Sequence, residues 1–294
     1  MKHKRKANSD SLFYLLVYTI AILAGIATLF PFIHILSVSI SEPVAVNKGS
    51  VYLYPVGFNI QSYKYVLGSK NIWIAYGNTI YYVVVGVLFN IVATVLAAYP
   101  LSRKSFCARR FLNFFIVFVM YFSGGLIPTY LLITSLGFYN SRWVMIIPVL
   151  LSSYNVMICR SAFSSIPEEV MESAVIDGAN DIQILFKIAI RLITPTLAVL
   201  ILYYAVGRWN NFMTPLLYIS KEELQPLQIL LRRVLIQSSN ELISNELLRS
   251  EEKGMVSLQV RYVTIIVSTL PILMIYPFLQ KYFVKGIMLG AVKG

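Results

Sequence analysis

Six stretches of nearly unbroken apolar residues divide the chain, at roughly 12–40, 73–101, 111–135, 142–160, 192–219 and 260–284. At about 1.5 Å per residue, a helix of this length approaches or exceeds a hydrocarbon layer of roughly 30 Å. The runs are too long and alternate too weakly for barrel strands. A backbone in lipid must also satisfy its own hydrogen bonds, so the pattern predicts an all-α polytopic protein with six transmembrane helices. We expect one transmembrane domain over 1–294, with core helices over about 73–284.

The polar residues between the runs set the orientation. "KHKRK" precedes the first run and "RKSFCARR" separates the second from the third, whereas "GFYNSR" after the third holds only Arg142. Short loops dense in Lys and Arg stay inside, which puts both termini in the cytoplasm. The run after "KHKRK" is too long for a signal-peptide core and lacks a small-residue cleavage site, so it is expected to remain as the first span. On this topology 42–70 is an outside loop. A second outside segment covers 220–259, in which "LQILLRRVLIQ" carries apolar residues at helical spacing.

Composition narrows the function. The chain is 57% hydrophobic and 13% charged, which sets it apart from ordinary soluble domains. A net charge of +12 would point to nucleic acid in a soluble protein, but here many of the cations flank apolar runs and serve topology, so no nucleic-acid partner is expected. His3 and His34 are the only histidines, without Cys or carboxylate neighbours at ligand spacing, so zinc chemistry and a His-based triad lack their parts. Cys107 and Cys159 both fall near the cytoplasmic face and read as reduced thiols. No Walker A sequence occurs, so any use of ATP requires a partner. An ion-coupled secondary transporter would carry carboxylates within its spans, and a membrane-embedded enzyme a cluster of reactive side chains at one depth; here Asp and Glu lie in the loops.

One loop breaks the positive-inside pattern. "EEVMESAVIDGAND" packs five carboxylates into fourteen residues of the cytoplasmic segment 161–191. Ser165-Ile166-Pro167-Glu168 reads as a capping box with Pro167 in the first turn, and Gly178 ends the helix after Asp177. Asn180 then caps a second helix with Gln183 at its third position. Val170 with Ala174 and Met171 with Val175 form i, i+4 apolar pairs, while Glu169, Glu172 and Ser173 lie on another face. The elbow can therefore pack one side on the bundle and offer the other to a partner. On these residues alone, a solvated acidic connector with ordinary caps is the plainer reading.

"EEVMESAVIDGANDIQILFKIAIRLITP" resembles the cytoplasmic loop motif of ABC importer permeases, in which Glu-Ala-Ala and three further residues precede a Gly. "SSIPEEV" and the C-terminal "FLQKYFVKGIMLGAVKG" are similar to the maltose-type carbohydrate permeases, and the likeness runs over essentially the whole chain. Two positions depart from the pattern: Ser173 stands where a second Ala is usual, and Arg191 occupies the usual Pro position, with Pro195 four residues later. The resemblance implies a multi-pass subunit of a bacterial cell membrane that does no bond chemistry and binds no cofactor or metal, with ATP and Mg on a partner ATPase. It also implies a coupling helix seated in a cleft of a cytoplasmic ATPase dimer. There Glu172 meets a basic group, Ala174 packs closely and Gly178 makes the turn, with Glu168, Glu169, Ser173, Asp177 and Ala179 around them. Lys293 and Gly294 would make a second contact between the ATPase subunits. The other implied partners are a non-identical sister permease, an extracytoplasmic solute-binding protein, a sugar and the lipid bilayer. "FSGGLIPTYLLITSLGFYNSRWVMIIP" and "LQPLQILLRRVLIQ" are further similar to permeases for breakdown products of complex polysaccharides, including uronic-acid oligomers, which implies an oligosaccharide substrate.

Polar residues inside the spans are candidates for the path. Tyr154, Asn155, Arg208, Trp209, Asn210 and Asn211 supply aromatic faces for pyranose rings, amides for hydroxyls and a guanidinium for the carboxylate of an acidic sugar. The competing reading places Trp and Tyr in interfacial belts and Asn between helices. Asn90 reads as such an interhelical bridge, and Tyr52, Tyr54, Trp73 and Trp143 as residues near the outer face that pack loops or line a belt.

Overall fold

A computed structural model describes residues 2–236, 256 and 258–274, with side chains from Phe13 onward. The described residues are helical and irregular, with a single isolated bridge between Ser41 and Phe58 and no strand. The helices are α1 (Lys2–Ser39), α2 (Pro43–Asn47), α3 (Gln61–Gly68), α4 (Lys70–Ser102), α5 (Arg109–Tyr121), α6 (Leu126–Ser135), α7 (Ser153–Ser164) and α8 (Glu168–Ile176). They continue with α9 (Asp181–Leu192), α10 (Thr194–Trp209), α11 (Met213–Tyr218), α12 (Leu227–Ile236) and α13 (Leu258–Met274).

Among the described residues two helices are long and apolar enough to cross a membrane, Phe13–Ser39 of α1 and the whole of α4. The first exposes apolar side chains around its full circumference from Phe13 to Ile33. A helix that is apolar on every side needs a non-aqueous solvent.

The third, fourth and fifth runs are not the continuous helices that their composition predicts. The third is α5 followed by α6, bent by 114° at a break that ends on Gly125 with φ +85°. The fourth begins as a 3-10 turn, Arg142–Met145, loses helical form, and recovers it only at α7. Pro148 sits in this gap, where it removes one N–H and steers the residue before it away from the helical region. Ser152 then caps α7 by accepting from the Asn155 N–H. The fifth breaks between α10 and α11 at residues 210–212. Of the sixth, α13 is described and the remainder lies outside the described residues.

The chain forms two compact units, one from 1–71 with 231–270 and one from 72–230 with 271–294. In the first, the expected outside loop carries α2 and α3 and is organised by Gln259. This fully buried side chain donates to the Ser39 carbonyl (3.0 Å) and the Ser41 carbonyl (2.5 Å) and accepts from Ser62 Oγ (2.7 Å). Val38, Ala45, Val46 and Val51 pack beside it with Leu258 and Tyr262. The second unit holds the acidic elbow and the polar residues of the spans. Its main core gathers side chains from α4, α7, α8, α9 and α10, among them Tyr99, Phe163, Met171, Ile184 and Leu200.

Candidate functional site: the acidic elbow and a polar junction between broken helices

The elbow is built on two adjoining helix ends. α8 starts after Pro167, whose backbone is extended at φ −52° and ψ 136°. The predicted Ser165 capping box does not form: Ser165 terminates α7, and its hydroxyl donates back to the Ala162 carbonyl at 2.8 Å. Proline in the cap position leaves no side-chain acceptor for the first N–H groups, and Glu168 and Glu169 complement that helix end by charge. At the far end the predicted glycine stop is present. Gly178 has φ +82°, the Gly178 N–H donates to the Val175 carbonyl and the Ala179 N–H to the Ala174 carbonyl, each at 3.0 Å. These two bonds are the paired closure of a Schellman motif. The Asn180 capping box also forms, with Asn180 Oδ1 accepting from the Gln183 N–H at 2.8 Å and Gln183 Oε1 from the Asn180 N–H at 3.1 Å.

The buried side of α8 is narrower than the predicted pairs. Met171 and Ala174 are 3% and 6% exposed and join the core, while Val170 and Val175 face outward. A two-turn helix resting on one neighbouring surface buries an i, i+3 strip and leaves the flanking positions out. Glu169, Glu172, Ser173 and Asp177 are exposed, and so are Ile176 (84%) and Ile182 (69%). The outward face is thus acidic and apolar together. α9 carries a π-helical turn, Ile184–Ala189, that turns Ile184, Leu185 and Ala189 into the core, and the chain then bends by 82° into α10. Arg191 is exposed just before this bend, and Pro195 occupies the first turn of α10, where its missing N–H goes unused.

An open cavity of about 840 Å³ separates α8 from the connector Ser102–Ser105. Lys104 Nζ spans its rim to Glu168 Oε2 at 2.5 Å. That hydrogen bond and charge, with Arg103 behind, hold the Glu168 carboxyl below the usual carboxylate range. The pair therefore stabilises at pH above the ordinary carboxylate range, and its contribution disappears as pH falls through the lowered value. Both side chains are largely exposed, so screening should make the effect small. We expect Glu168→Gln to leave the thermal unfolding midpoint of the purified protein almost unchanged at neutral pH and high salt. A large drop there would show that the pair is shielded from solvent.

The candidate polar residues of the spans take up different places. Tyr154 is exposed, and Asn155 is buried in the first turn of α7. Asn210 terminates α10, and Asn211 lies one residue before the Phe212 cap of α11, its Oδ1 accepting from the Thr214 N–H at 3.2 Å. The Asn211 side chain thereby braces the helix break. Arg208 instead reaches across to α4 and the gap before α7. Its Nε donates to Asn90 Oδ1 at 2.6 Å and its Nη1 to the Met145 carbonyl at 2.5 Å. Asn90 Nδ2 donates to the carbonyls of Val149 (2.8 Å) and Leu150 (2.6 Å). Tyr204 shares a hydrogen bond with Thr94 at 2.7 Å and accepts from the Ser152 N–H at 3.4 Å. Non-helical backbone within an apolar run needs this substitute bonding. Asn90 is thus the bridge its sequence position suggested.

Sequence reading missed Gly86, Lys104 and Arg103. A Cβ at Gly86 would lie 2.3 Å from the Arg208 guanidinium carbon, so the arginine occupies the space that glycine leaves. The clue was a lone glycine four residues before Asn90 in "VVVGVLFN". Lys104 and Arg103 were legible only as topological charge. Lys293 and Gly294 lie outside the described residues.

A family model described as "Binding-protein-dependent transport system inner membrane component" matches residues 90–289. The chain is 36% identical over 289 residues to the polygalacturonan/rhamnogalacturonan transport system permease protein YtcP of Bacillus subtilis (strain 168), covering 97% of this chain and 99% of that one. It is 37% identical over 273 residues to the protein LplC of the same organism, covering 92% and 91%. Among solved structures, it is similar to a chain in a crystal structure of a bacterial ABC transporter involved in the import of the acidic polysaccharide alginate. That match has a TM-score of 0.86 and 34% identity, and covers 94% of this chain and 98% of the other.

Proposed function

This chain belongs to the family of binding-protein-dependent transport system inner membrane components, and we propose that it is the permease subunit of a bacterial ABC importer for acidic oligosaccharides. The carbohydrate reading is supported by the relatives, one described as a transporter of polygalacturonan and rhamnogalacturonan and another structure as an alginate importer. Alginate is an acidic polysaccharide, which extends the reading to acidic oligomers. The chain works as one permease domain with six spans and cytoplasmic termini, binds no cofactor, and leaves ATP and Mg to a partner ATPase. A solute-binding protein delivers sugar from outside, and a non-identical sister permease completes the translocation path.

The observation that carries the mechanism is the elbow. Met171 and Ala174 root α8 in the core, and Gly178 turns the chain into α9, which leads through the bend at Ile193 to α10. Glu169, Glu172 and Ile176 remain outward for the ATPase, with Glu168, Ser173, Asp177 and Ala179 completing the coupling surface. A push on this short helix reaches the spans through packed side chains that resist compression. Lys293 and Gly294 would add the second contact between ATPase subunits.

Affinity purification of the tagged chain from its own membrane in mild detergent tests the assignment. Wild type should recover an ATPase and a second permease. Glu172→Lys, which sets like charge against the basic group expected on the ATPase, should recover about tenfold less ATPase and undiminished sister permease. Recovery of no ATPase with wild type, under conditions that keep other importers intact, would refute the importer reading and favour ion-driven transport.

A further inference from the structure

We infer that Trp73, Tyr76, Trp209 and Arg208 form a track for an acidic oligosaccharide, in which sugar rings lie on the three aromatics and a uronate carboxylate meets the arginine. The inference rests on the saccharide-permease reading above. It goes further by placing two residues of α4, Trp73 and Tyr76, in the path and by assigning Nη2 of the arginine to the carboxylate.

The first observation is the unfinished bonding of Arg208. Its Nε and Nη1 are fixed by Asn90 and by the Met145 carbonyl, whereas Nη2 is buried and has no hydrogen-bond partner among the described residues. No Asp or Glu occurs in the runs 73–101, 142–160 or 192–219, so the guanidinium has no carboxylate from these spans. An uncompensated cation in a low-dielectric setting is costly, and a bridge between Asn90 and a carbonyl could be made by a neutral side chain at lower cost. The charge is explained if an anion arrives from outside the chain. Two fixed nitrogens hold the third in a constant orientation, which suits a planar carboxylate. Gly86 leaves the room that the guanidinium itself fills.

The second observation is aromatic and independent of the first. Trp73 and Tyr76 lie on one side of α4 with ring centroids 6.0 Å apart, and Tyr76 stands 6.5 Å from Trp209, the residue next to Arg208. The series runs from exposed Trp73 through half-buried Tyr76 to buried Trp209. Aromatic faces stack on the C–H faces of pyranoses, so a graded series can pass successive rings inward. The third observation is location. Arg208 stands in the last turn before the break at 210–212 and bonds to the residue where the other break, up to Ser152, begins. Sites of this kind in transporters form where helices are interrupted.

The test uses the assembled importer in proteoliposomes, supplied with saturating binding protein and radiolabelled tri-galacturonate or tri-mannuronate. Arg208→Gln should slow import about tenfold, the loss of one charge-assisted contact, while Arg208→Lys, which keeps the charge but loses the planar fork, should be impaired less than the Gln variant. Tyr76→Ala and Trp209→Leu, which leave the Asn90 tie intact, should each slow import several-fold at wild-type abundance. Equal impairment in the Gln and Lys variants, or none in either, overturns the role of Arg208. If Arg208→Gln fails to accumulate, the aromatic variants decide, and unchanged import in both overturns the track. A wild-type importer that carries neither probe would instead sink the acidic-saccharide reading itself.

Discussion

Asn90→Leu should destabilise the protein by about 3 to 5 kcal/mol, seen as a clear fall in its thermal unfolding midpoint in detergent. The substitution nearly preserves volume but removes three hydrogen bonds at once. The carbonyls of Val149 and Leu150 lose their donor, and Arg208 Nε loses its acceptor. Asn90 is fully buried, so the abandoned groups have no water to turn to. Thr94→Val is the control, since it removes one neutral hydrogen bond to Tyr204 and should cost about 1 kcal/mol. If Asn90→Leu proves no worse than Thr94→Val, the gap before α7 is hydrated or otherwise bonded, and the junction does not hold the break in place.

Gly178→Val should separate assembly from transport. At φ +82° a β-branched residue is strained by about 2 kcal/mol or more, although open space surrounds the position where its Cβ would sit. The expected response is loss of the Schellman closure and a changed angle between α8 and α9. Transport should fall at least about tenfold, because a small misplacement of a coupling element is amplified, while the permease pair still accumulates in the membrane. Gly178→Asn tolerates the same backbone and should keep most of the activity. Parallel assays of import and of ATPase recovery distinguish the outcomes. Full import by Gly178→Val would show that the elbow does not transmit force through this turn.

Much of the elbow was legible because caps and turns are local chemistry. Gly178, Asn180 and Gln183 act within a few residues of themselves, so their bonds follow from spacing alone. Ser165 failed for a reason equally local: it closes α7 with helical backbone, and α8 begins only after Pro167. The choice of Met171 with Ala174 over Met171 with Val175 was not local, because it depends on which neighbour the short helix rests against.

The apolar runs by themselves determined that this is an all-α membrane chain, and the acid-rich loop with its glycine and caps determined where an elbow forms. Hydrophobicity is a property of each residue summed along a segment, and the sequence states it directly. Only the tertiary structure decided that several runs are broken, that Gly86 makes room for Arg208, and that Asn90 satisfies backbone sixty residues away. These depend on partners distant along the chain. A buried polar group has no preferred partner until packing brings one within hydrogen-bond reach.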